Sequence, residues 1–155
     1  MAYDSRPDTN EHIGQVRGLL LGCAADLITR AHRHDRSKLE PPEVEVFDEF
    51  TPKLRDSTYG SEEYKEFLAG MGEGLKHHYA VNDHHPEHFG EGLAEMNLLQ
   101  LTEMLCDWIA ATRRHADGDI HRSIDQNADR FGYGHEMKRL LHTTVDGLLA
   151  REVTA

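Results

Sequence analysis

Apolar residues recur along most of this chain at three- and four-residue spacing, the period of helices that bury one face. Val16, Leu20, Cys23, Leu27 and Ala31 trace the first such row. It predicts a helix beginning at a Thr9 cap, and His12 and His34 extend the row at its two ends. Residues 1–8 are polar and contain Pro7, which predicts a loose lead-in. Pro41 and Pro42 interrupt regular structure after Leu39, and a short helix restarts over 43–50 with Val44, Phe47 and Phe50 inward. Residues 51–60 read as a loop. From Ser61 a row of Tyr64, Phe67, Leu68, Met71 and Leu75 reaches His78, although Gly70, Gly72 and Gly74 weaken that helix.

Residues 82–92 hold Pro86, Gly90 and Gly92 and predict a loop. The strongest helical pattern covers 91–115, where Met96, Leu99, Met104, Leu105, Trp108 and Ile109 are apolar and Asp107 flanks their stripe. Two further helices, over 119–130 and 135–149, are separated by Gly132-Tyr133-Gly134. No strand pattern or repeat is evident. The expected architecture is all-α: a single helical domain of about six helices over 1–155.

Composition narrows the partners. The chain has 155 residues, enough for one domain that buries roughly two thirds of the surface its unfolded form exposes. Cys23 and Cys106 both fall in apolar helical surroundings, which predicts small core residues of a reducing compartment rather than a disulfide. The apolar run over 19–25 is far short of the roughly 20 residues of a membrane span, so a cytoplasmic, membrane-free protein is expected. The formal net charge of −11 repels nucleic-acid backbones and favours small substrates over long nucleic acid. A helical domain with exposed apolar positions can also form a homodimer.

Twelve histidines are several times what ordinary usage would give a chain of this size. Arg33-His34-Asp35-Arg36-Ser37-Lys38 sets an adjacent imidazole and carboxylate beside a lysine, a pair suited to borderline or hard divalent ions. His84, His85 and His88 surround Pro86 in a loop, where no periodic face accounts for their clustering. On an apolar helical face a lone histidine such as His78 is ordinarily a hydrogen-bonded core residue, and the remaining histidines read as core or surface. Asp107 alone reads as a flank residue, but turned inward it needs a cation or donors.

The order His12, His34-Asp35, His78, His84-His85, Asp107 resembles the HD superfamily of metal-dependent phosphohydrolases, over about residues 9–110. More narrowly, Thr9-Asn10-Glu11-His12, His34-Asp35-Arg36-Ser37-Lys38-Leu39 and Asn82-Asp83-His84-His85-Pro86-Glu87-His88-Phe89 resemble a little-characterised family found in phages and bacteria. The resemblance implies one metal centre of His12, His34, Asp35 and Asp107, with His78 and His84 or His85 building a second metal position. It implies that Lys38 holds a phosphate oxygen, with Ser37 standing where the common pattern has glycine. One or two divalent ions are implied, from among Mn, Fe, Co, Ni, Zn and Mg. Glu43, Glu87 and His88 are candidates for orienting ligands or moving a proton, and spacing does not choose among them.

His12 carries a geometric condition. It lies 22 residues before His34, about 33 Å along an unbroken helix, so the two share a metal only if the chain reverses between them, near Gly18–Gly22. The implied chemistry is attack on phosphorus by a metal-activated water, with Asp35 and Lys38 as catalytic residues and a nucleotide or other small phosphate ester as substrate. Two other readings stand beside it: a di-iron oxygenase, and a metal- or nucleotide-binding protein without turnover.

Overall fold

The computed structural model describes residues 3–58, 60–115 and 117–152. Seven α-helices and three short 3-10 turns account for the regular structure, and no strand occurs among the described residues. The all-α expectation holds. The chain divides into two compact units, Met1–His34 and Asp35–Ala155.

The first unit is one helix, α1 (Arg6–Arg33), with a short lead-in. It starts at Arg6 rather than Thr9, because proline is tolerated in a first turn whose N–H groups have no intrahelical acceptor. Asp8 near its start and Arg30, His32 and Arg33 in its last turn complement the helix dipole. The helix is continuous through Gly14, Gly18 and Gly22, so the chain reversal that His12 required does not occur. No residue of α1 is buried, and Val16 and Leu20 of the expected apolar row are exposed. A single helix has no second layer within its unit to enclose that row.

In the second unit, α2 (Val44–Asp56) runs six residues beyond the expected helix, continuing through Pro52. The row from Ser61 is two helices, α3 (Glu62–Gly70) and α4 (Gly72–Val81), broken at Met71 where Gly72 takes a positive φ. That break gives seven helices where about six were expected. Ser61 caps α3, its hydroxyl accepting from the Tyr64 N–H at 3.1 Å. Gly74 has a separate role: a Cβ built there would lie 2.8 Å from Val46 Cγ2, so only glycine lets α4 approach α2 this closely.

The helix expected over 91–115 starts later, as α5 (Leu98–Thr112). Asn97 caps it with a reciprocal capping box: Asn97 Oδ1 accepts from the Gln100 N–H, and Gln100 Oε1 accepts from the Asn97 N–H. A 3-10 turn, Gly92–Glu95, takes up the preceding residues. Helices α6 (Ile120–Phe131) and α7 (His135–Glu152) follow, with Asp119 capping α6 and Gly132 ending it in the left-handed conformation. Met104, Leu105, Ile109, Ile124, Leu141 and Val145 lead the core that α5, α6 and α7 enclose. Cys23 and Cys106 are exposed, which corrects their expected place in a core.

Candidate metal centre

The centre is built around Asp35. Its φ of 56° is left-handed, a conformation short polar residues such as aspartate tolerate better than most. The chain thereby turns sharply into a 3-10 turn, Arg36–Leu39, and the Lys38 N–H donates to the Asp35 carbonyl at 3.0 Å. The same turn brings Lys38 Nζ to 2.5 Å from Asp35 Oδ2, with the ammonium 4.8 Å over the Phe47 ring of α2. Asp35 Oδ1 points the other way, 3.4 Å from His78 Nε2 and 3.6 Å from His84 Nε2.

His78 is on α4, one turn after Gly74, and is 1 % exposed. The close approach of α4 to α2 places its Nδ1 2.9 Å from Oε2 of Glu43, which precedes α2 and is itself 0 % exposed. Glu43 also accepts from Ser37 Oγ at 2.9 Å, and its Oε1 lies 2.7 Å from His77 Nδ1. Asn82 closes this group: its Nδ2 donates to Ser37 Oγ at 2.9 Å and to the His78 carbonyl at 2.8 Å. A buried carboxylate is costly unless hydrogen-bonded, and Glu43 meets that demand with three side chains.

The loop after α4 supplies two more imidazoles. His84 is buried, and its Nδ1 lies 3.3 Å from Glu103 Oε1 on α5. His85 is half-buried, with Nε2 2.8 Å from His78 Nε2. A 3-10 turn, Pro86–His88, follows directly, and Asp83 is anchored to α5 by Gln100 Nε2 at 2.6 Å. One atom from each of Asp35, His78, His84 and His85 fits within a span of 4.8 Å.

Electrostatics favour neutral rings here. Burial pushes the His78 pKa below its ordinary value, and the Lys38 charge adds to this. Burial and then the neighbouring His84 and His78 push His85 down to about 3. A metal ligand must be a neutral imidazole, and a ring whose Nδ1 meets a carboxylate presents Nε2 as the ligating atom. His78 with Glu43 and His84 with Glu103 both have this arrangement. Three imidazoles and one carboxylate are a donor set suited to borderline divalent ions, so these residues can hold one.

The sequence-derived candidates are distributed as follows. Asp35, His78, His84 and His85 converge. Asp107 stands on α5 with a carboxylate oxygen within 4.8 Å of one on Asp35, and its charge acts on His85. His34 ends α1 directly before Asp35, its N–H donating to the Arg30 carbonyl at 2.8 Å. His12 lies exposed within α1, and the continuous helix separates it from His34 by about 33 Å, so the two do not share an ion in one chain. Of the three orienting candidates, Glu43 is the one in contact with His78. Glu87 pairs instead with Arg130 at 2.5 Å, and His88 Nδ1 bonds the Tyr79 carbonyl at 3.0 Å. Sequence reasoning missed Glu103. Its signal was available in the four-residue spacing from Asp107, which puts both carboxylates on one flank of α5.

No helix among the described residues is long and apolar enough to cross a membrane. No curated protein and no solved structure is detectably similar to this chain. A family model does match, over residues 1–154, and by that match the chain belongs to DUF5662, a family of unknown function.

Proposed function

We propose that the protein is a metal-dependent phosphohydrolase acting on a nucleotide or another small phosphate ester, with Asp35, His78, His84 and His85 holding the ion. The observation that carries this reading is the convergence of one carboxylate and three imidazoles within 4.8 Å, joined to the motif order resembling the HD superfamily. A divalent ion bound there supplies an activated water near neutral pH and neutralises phosphoryl charge. Asp35 would hold the ion through Oδ1 while Lys38 pairs with Oδ2, and the Lys38 ammonium would be a cation available to a phosphate oxygen. Glu103 and Glu43 orient the rings. Asp107 adds negative charge beside Asp35, which favours a divalent cation over an unbound anion.

The net charge of −11 supports a small substrate, because a long polyanion meets repulsion beyond the ion. The test is elemental analysis of purified protein, followed by Mn²⁺-supplemented assays on nucleotides and generic phosphate esters. Stoichiometric metal and phosphate release are expected in the wild type, and Asp35→Ala and His84→Ala should lose both. Retained stoichiometric metal in both variants would sink the ligand assignment. Iron with substrate-dependent oxygen consumption, or tight nucleotide binding without product, would replace hydrolysis with another chemistry at the same residues.

A further inference from the structure

We propose that Glu43 is the positioning residue of this centre: it holds the His78 proton on Nδ1 and so makes Nε2 the atom that His78 presents to Asp35, His84 and His85. The inference rests on the reading of the cluster as a metal centre, and it follows from counting donors and acceptors. A carboxylate only accepts, so each close partner of Glu43 must donate to it. Those partners are Ser37 Oγ at 2.9 Å, His77 Nδ1 at 2.7 Å and His78 Nδ1 at 2.9 Å.

Asn82 removes the alternative. Its Nδ2 lies 3.0 Å from His78 Nδ1 and at first sight competes for that atom. Its two hydrogens, however, are used by Ser37 Oγ at 2.9 Å and by the His78 carbonyl at 2.8 Å. Ser37 then accepts from Asn82 and donates to Glu43, and His78 Nδ1 has no role left except donor. The opposite tautomer would set a ring lone pair against a carboxylate that is 0 % exposed, where neither atom has water to turn to.

With Nδ1 fixed as the donor, Nε2 carries the lone pair of the His78 ring. His78 Nε2 is an acceptor, so the 2.8 Å contact with His85 Nε2 requires His85 to donate. A cation bound among these residues would displace that hydrogen bond. Glu43 therefore acts without touching the ion or the substrate, through one ring. It also links His78 to His77, whose side chain is 41 % exposed, so the buried carboxylate connects the centre to the protein surface.

Long-range ¹⁵N–¹H correlation of the histidine side chains tests the proposal without metal, and Co²⁺ titration tests its consequence. Wild-type His78 should carry its proton on Nδ1. Glu43→Leu keeps much of the side-chain volume but offers no oxygen to accept a hydrogen bond. It should abolish the fixed Nδ1–H signature and weaken Co²⁺ binding about 10–100-fold, with helical content unchanged. His77→Ala should leave the His78 tautomer as in the wild type. A wild-type His78 proton on Nε2, an unchanged tautomer in Glu43→Leu, or Co²⁺ affinity in that variant within twofold of wild type would each overturn the role of Glu43. If Glu43→Leu does not fold, the wild-type tautomer decides alone. Failure of the wild type to bind any divalent ion would refute the metal reading while the tautomer measurement still judged Glu43.

Discussion

Asp35 combines a left-handed backbone conformation, a salt bridge and a candidate ligand position, and these can be separated by substitution. Asn tolerates the left-handed φ about as well as Asp but carries no charge. Asp35→Asn should therefore leave the unfolding midpoint near wild type while Co²⁺ affinity falls at least about tenfold, as for a ligand whose charge-assisted contact is lost. Parallel urea unfolding and metal titration check this, and an equal loss in both would mean that the side chain is structural. Asp35 was legible in the sequence as a candidate because an adjacent imidazole and carboxylate suit a divalent ion, and the structure brings it together with His78, His84 and His85. His84 and His85 were legible for a related reason, since loop histidines have no packing periodicity to explain them. Glu43 was legible only as one of three candidates, because the contact that selects it joins residues 34 and 35 positions apart through two helices. The same limit applies to His12: its residue type fits a ligand, and only the continuity of α1 decides its distance.

Between helices, the decisive contact is the one that lets α4 approach α2. A Cβ at Gly74 would lie 2.8–2.9 Å from the Val46 side chain, so Gly74→Ala must separate the two helices or displace a branched side chain. The expected cost is about 1–3 kcal/mol, the usual range for overpacking, measured as a lower urea midpoint. Because His78 and Glu43 ride on opposite sides of this contact, metal affinity should fall in the same variant. Asn97→Ala tests a different joint. Loss of the capping box at the start of α5 should cost about 1 kcal/mol by the same measurement. Helical identity was legible wherever apolar residues kept their period, as along α5, α6 and α7. Boundaries were less so. Met96 belongs to the periodic stripe of α5 and packs in the same core, yet it precedes the helix, because Asn97 and Gln100 satisfy each other's backbone groups there. Glycine-rich spacing weakened the expected helix before His78, and the structure places a real break at Met71 and Gly72.

Across the whole molecule the dominant electrostatic quantity is the net charge of −11, which a bound divalent cation reduces locally. An ion that binds only the folded protein stabilises it by mass action, by about 2.7 kcal/mol at a free concentration 100 times Kd. The thermal midpoint should therefore rise with added Mn²⁺ and return to its starting value with a chelator, whereas Asp35→Asn should show a smaller rise at the same Mn²⁺ concentration. A wild-type midpoint indifferent to Mn²⁺ would count against binding. The core and the centre also share one element. On α5, Met104, Leu105 and Ile109 pack into the core, while Glu103 and Asp107 stand beside His84 and Asp35. Rotation or translation of α5 moves both sets together. A substitution in the α5 core that is neutral for packing would therefore still move two carboxylates beside the candidate centre.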